Sequence, residues 1–118
     1  MPFEQLVEDA LDTLPPDFQR LLADVAIVIE EMPSQDQARR GGAEADGWLY
    51  GLYEGVPGIE WGADMVPLPN KITLFQLPLE TDFPDPDELA DEVRRTVVHE
   101  LAHHAGISDP RLHELGFD

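Results

Sequence analysis

Near the start of the chain, Phe3, Leu6, Val7, Ala10, Leu11 and Leu14 fall at i, i+3, i+4, i+7, i+8 and i+11, which places them on one stripe of an α-helix. Pro15-Pro16 ends that helix, and Pro16 also suits the first turn of a short second helix through Phe18, Leu21 and Leu22. The period then changes. Val25-Ala26-Ile27-Val28-Ile29 is a continuous, largely β-branched run and predicts a strand buried on both faces. Residues 33 to 47 carry Pro33, Ser34, Gly41-Gly42 and Gly47 and read as a loop. Trp48 to Tyr53 is the second expected strand, in which Gly51 marks a bulge or a close backbone approach. After a turn-rich stretch from Gly55 to Asn70, Ile72 to Leu77 is the third, and Pro78 beside it predicts an edge position or a strand end.

Asp85-Pro86-Asp87-Glu88 is a strong helix start, with Asp85 as N-cap, Pro86 at the first position, and acids at the positive end of the helix dipole. This helix is expected to run to about Ala105 and stop at Gly106, which tolerates a left-handed backbone. Pro110 opens a last segment anchored by Leu112 and Leu115. The sum is a single α+β domain over residues 1–118, with three strands and two long helices.

Composition narrows what such a domain does. Seven Lys and Arg against 25 Asp and Glu give a formal charge of −18, which repels nucleic acid and anionic lipid surfaces and favours cations and basic partners. There is no cysteine, so disulfides, thiol catalysis and thiolate metal sites are excluded, leaving His, Asp and Glu as strong ligands. No basic leader or long apolar run is visible, so a cytoplasmic, membrane-free location is expected.

All four His lie in the last twenty residues, and His99 and His103 are four apart. At about 100° per residue their imidazoles stack on one helix face, nearly opposite Val97, Leu101 and Ala105. Such a helix packs its apolar side on a sheet and offers a two-imidazole metal site to a cleft. Glu100 follows the first His directly and projects beside that site, where a general base for an activated water belongs. A third ligand is needed. Asp109 is the first choice, because Gly106 lets the chain leave the helix axis and return; His113 and Glu114 are the competing candidates. Chance gives His-Glu-x-x-His in about one shuffled sequence in a hundred, and with the Gly and Asp added in about one in ten thousand.

The stretch His99-Glu-Leu-Ala-His103-His-Ala-Gly106-Ile-Ser-Asp109 resembles the HExxHxxGxxD form of the zincin metallopeptidases. The order of helix, three strands and motif helix is similar to that of a small bacterial family of minimal zincin-like proteins. The resemblance implies a minimal zincin-like fold, with a small three-stranded sheet packed against the N-terminal helix and the motif helix. It implies zinc held by His99, His103 and Asp109, with Glu100 as catalytic base. It also implies that an edge strand binds an extended peptide or protein substrate, with Lys71 to Leu77 as the candidate strand, and the acidity of the chain admits a basic one. In metzincins a His usually stands where Asp109 is, and a Met turn lies downstream of the motif; here Met1, Met32 and Met65 all precede it. Two other functions stay open beside the peptidase: a non-catalytic, metal-stabilised binding module, and an enzyme that needs a partner to complete its cleft. The sequence leaves the oligomeric state open.

The remaining chemistry-bearing residues have plainer expectations. Thr96 and Glu92 fall near the ligand face, Glu92 on a solvated surface. Arg94 falls on the apolar side and must snorkel or pair with a carboxylate. His104 is a packing or capping residue, and His113 an exposed one. The acids of residues 80 to 92 lack the glycine and terminal Glu of a calcium loop and are assigned to capping and solubility. Trp48, Tyr50, Tyr53 and Trp61 are expected to anchor core or loops.

Overall fold

The computed structural model describes residues 1–23, 25–42, 48–54 and 70–105, the last three of these by backbone alone. The first apolar stripe forms α1 (Phe3–Asp12), with Phe3, Leu6, Val7, Ala10 and Leu11 buried. Pro16 opens α2 (Pro16–Leu22) at its first position, as expected. The side chain of Gln19 donates to the carbonyls of Leu11 at 2.6 Å and Leu14 at 3.3 Å, tying α2 to the end of α1, where Leu11 also accepts from the Leu14 amide.

Three strands follow: β1 (Ala26–Glu30), β2 (Gly51–Glu54) and β3 (Lys71–Phe75). They lie in the order β1-β3-β2, with β1 parallel to β3 and β2 antiparallel to it. This order corrects two expectations. The β-branched run of β1 is an edge strand, with Ile27, Val28 and Ile29 only half-buried. The third strand, for which Pro78 predicts an edge position or a strand end, is central: Ile72, Thr73, Leu74 and Phe75 are all fully buried. Pro78 does not end or flank the strand; it sits in the first turn of α4 (Gln76–Asp82), where the missing N–H has no helical partner to lose.

A second short helix was hidden in the stretch read as a loop. α3 (Gln35–Arg40) starts at a capping box in which the Ser34 hydroxyl accepts from the Gln37 amide at 3.1 Å and the Gln37 side chain accepts from the Ser34 amide at 2.9 Å.

The long helix α5 (Pro86–Ala105) begins as its sequence predicts, with an Asp85 carboxylate oxygen accepting from the amides of Asp87 at 3.1 Å and Glu88 at 3.0 Å. Its Leu89, Val93, Val97, Val98, Leu101 and Ala102 form one core with α1, α2, α4, and Ile72 and Leu74 of β3. Arg94 resolves its misfit by pairing with Asp91 and donating to the Thr13 hydroxyl at 3.2 Å. The architecture is α+β, consistent with a minimal zincin-like fold. Among the described residues no helix is long and apolar enough to cross a membrane.

Candidate active site

The site begins with a missing side chain. Gly51 of β2 faces α5, where a Cβ would lie 2.6 Å from the Thr96 methyl and 3.3 Å from the Thr73 carbonyl oxygen. Only a glycine lets the helix come this close. From that contact helix and strand advance together: four residues of α5 rise about 6 Å and two residues of β2 about 6.6 Å, so Glu100 arrives beside Tyr53. There the Tyr53 backbone N–H donates to Glu100 Oε2 at 3.0 Å.

The register explains why that N–H is available. Phe75 N–H donates to the Tyr50 carbonyl, so in the antiparallel alternation Gly51 and Tyr53 direct their backbone groups away from β3. The outer edge of β2 therefore faces the motif, and a main-chain amide of that edge holds one oxygen of Glu100.

His99 is half-buried and shares with Glu100 a groove of about 320 Å³ whose walls include Tyr50, Gly51, Glu92, Arg95 and Thr96. Val97 and Leu101, on the opposite side of the helix, are 0% and 3% exposed, so the division between ligand face and apolar face is as the spacing predicts. The helix stays regular to Ala105, which puts the backbone of His103 one turn beyond His99 on the same face. The His103 side chain, Gly106, Asp109, His113, Glu114, and the expected last segment through Leu112 and Leu115 lie outside the described residues, as do Trp61 and the His104 side chain. Among the described residues no three His, Asp or Glu gather as a metal site.

Glu92 departs from expectation. It is not on a solvated face: it is 9% exposed, lines the groove, and accepts from Arg95 Nη1 at 2.7 Å. The i, i+3 spacing of the two residues is the sequence signal for that pair. Thr96 lines the groove as expected and also sets the helix-to-strand distance.

One end of the groove is braced by Asp82, at the end of α4. Its Oδ2 accepts from Trp48 Nε1 at 2.8 Å and from the Tyr50 hydroxyl. Those two hydrogen bonds, Tyr50 first, hold the Asp82 carboxyl below its ordinary value. The same bond, with burial and the Asp82 charge added, pushes the Tyr50 phenol up to about 12. Tyr50 also packs edge-on against Phe83, with ring centroids 5.6 Å apart. The tyrosines and Trp48 are anchors, as expected, and Asp82 is what Trp48 and Tyr50 are anchored to.

The groove thus sets a His-Glu pair of one helix face beside the outer edge of β2. The chain belongs to the zincin-like metallopeptidase family, whose model matches residues 22–117. That places it among metal-binding hydrolases of the metallopeptidase class. No curated protein matches the chain.

Proposed function

We propose that the chain is a zinc-dependent peptidase in which His99, His103 and Asp109 hold the metal and Glu100 is the general base. The donor set fits. His99 opens to the groove on a helix regular through His103, and two imidazoles with one carboxylate are an ordinary zinc set with room left for water. When bound, zinc would supply Lewis acidity, polarising the scissile carbonyl and making water a nucleophile near neutral pH.

The protein's own groups do the rest. Glu100 takes a proton from the attacking water and passes it to the departing amine nitrogen. Tyr53 N–H holds Glu100 Oε2 and so orients the carboxylate that handles the proton. The substrate would lie beside the outer edge of β2, in the groove that His99 and Glu100 line. This replaces Lys71 to Leu77 as the substrate strand, since β3 is paired on both sides.

The observation that carries the reading is the 3.0 Å bond between Tyr53 N–H and Glu100 Oε2 beside His99. The same bond favours a second reading, in which Glu100 only ties α5 to β2 in a metal-stabilised binding module. Substitution separates them. Glu100→Gln keeps an oxygen that accepts from Tyr53 N–H but cannot take a proton. As a catalytic base, its loss lowers peptide turnover about 10²–10⁴-fold while zinc content and melting temperature hold. If a peptide-cleavage profile of zinc-loaded protein shows no product for the parent either, and chelation only lowers thermal stability, the binding module is the correct reading. Protein that neither contains nor takes up about one zinc per chain would remove both.

A further inference from the structure

At the other edge of the sheet from Glu100 lies a larger groove, of about 760 Å³. Val7 and Leu11 of α1, Leu22 of α2, and Ile27 and Ile29 of β1 give it an apolar lining. Glu4, Glu8 and Asp12 stand along one wall, on one face of α1 at i, i+4 and i+8, all exposed. No cation lines the groove, and none of these three acids has an ion-pair partner among the described residues. The described Arg and Lys side chains pair elsewhere, with Asp17, Asp36, Glu54, Asp91 and Glu92.

The groove also borders an open sheet edge. Ala26 N–H donates to the Asn70 carbonyl, so in the parallel ladder Ala26, Val28 and Glu30 bond toward β3. Ile27 and Ile29 direct their N–H and C=O groups the other way, where no strand lies among the described residues.

We propose that this groove binds an extended, lysine- or arginine-rich segment of another protein, added as a fourth strand beside β1. This goes beyond the peptidase reading and does not depend on it. Alternate residues of a strand are about 6.6 Å apart, close to the rise of about 6 Å between successive acids on α1. Basic side chains at alternate positions therefore lay their aliphatic stems over Ile27, Ile29 and Leu22 and present their charges to Glu4, Glu8 and Asp12. Main-chain bonds to Ile27 and Ile29 supply affinity, and the acids supply the choice of partner. A second copy of this chain is disfavoured, because each copy carries a net charge of −18. The chain's own residues 43–47 and 55–69 are disfavoured too, since they carry acids and no Lys or Arg, and residues 106–118 carry Arg111 alone against Asp109, Glu114 and Asp118.

The test uses the whole chain and a peptide of alternating lysine and threonine, roughly nine residues long, followed by amide-resolved NMR and hydrogen exchange. The lysine peptide is expected to slow exchange at Ile27 and Ile29 and leave the Val28 amide, already bonded to β3, unchanged. A glutamate-threonine peptide should not bind. The Glu4→Gln/Glu8→Gln/Asp12→Asn variant should bind the lysine peptide about tenfold more weakly. Raising salt from about 50 mM to about 500 mM should weaken the parent comparably, independently of any substitution. The proposal fails if the peptide perturbs only Tyr53 and Glu100, or if the variant and the parent bind it equally. It also fails if Ile27 and Ile29 are already protected in dilute protein, which would mean an internal occupant. Protection that grows with protein concentration alone would mean a second copy.

Discussion

The two outer strands of the sheet present opposite surfaces to the helices above them. β2 offers Gly51, and α5 descends until Thr96 touches the strand and Glu100 reaches the Tyr53 amide. β1 offers Ile27 and Ile29, and the helices beside it leave a groove between them. One edge is thereby joined to the Glu100 carboxylate, and the other has no strand beside it among the described residues and lies beneath a row of acids. The difference comes from the residues that face inward on each strand. A side chain's width decides whether a helix closes an edge or spans a gap above it.

Filling the space at Gly51 should break this contrast most severely. In Gly51→Ala the added methyl meets the Thr96 methyl and approaches the Thr73 carbonyl, and neither is the loose end of a long side chain. The helix must lift, at about 1–3 kcal/mol by the usual scale of overpacking. Denaturant unfolding should show that loss, and the Tyr53 amide should exchange faster as its bond to Glu100 lengthens. Thr96→Ser removes the offending methyl and should recover part of both in the double variant. Binding of the lysine peptide at β1 should be unchanged. An unaltered unfolding midpoint with Tyr53 still protected would show that close approach is not what holds Glu100.

The strand between the edges offers a smaller effect of opposite sign. Thr73 is 0% exposed, and its hydroxyl has no hydrogen-bond partner among the described residues. Its neighbours in register are Val28 on β1 and Leu52 on β2. Thr73→Val keeps the shape and removes the unmet polar group, so it should stabilise the fold by about 1 kcal/mol in denaturant unfolding. Equal or lower stability would mean that the hydroxyl is satisfied in solution.

The same contrast shows what was legible in the sequence. The helix carrying His99 and Glu100 announced its start through Asp85 and Pro86 and its two faces through the spacing of Val97 and Leu101, because capping and periodicity are local. Gly51 announced a close approach for the same reason, though not which residue would approach. Strand order is not local. β1 and β3 are both rich in β-branched residues, and which of them lies in the middle depends on pairing between segments far apart in the chain. Pro78 misled because its place in a helical first turn and its place at a strand end follow from one property, the absent N–H. The burial of Glu92 was missed because it depends on how deeply the groove cuts beside the helix, although Arg95 three residues on was a visible partner. Ser34-x-x-Gln37 has capping-box spacing, but the proline and glycines around it carry the signal of a loop.

The smallest effect lies at the brace of the groove that His99 and Glu100 line. The Tyr50 phenol is pushed up to about 12, first by its hydrogen bond to Asp82, and Asp82 is held low by the hydrogen bonds from Tyr50 and Trp48. The raised phenol stabilises the fold fully below its unfolded value near 10, and that contribution is lost as pH rises from there through about 12. The lowered carboxyl acts at the other end, with its contribution present above the ordinary Asp value and lost as pH falls through the depressed one. Ultraviolet titration should therefore find one tyrosine ionising near 12, and Asp82→Asn should bring that midpoint back toward about 10. Both changes should leave the β1 groove untouched, since neither Tyr50 nor Asp82 lines it. If the Tyr50 midpoint stays high in Asp82→Asn, burial rather than the carboxylate raises it, and Asp82 does not brace this end of the site.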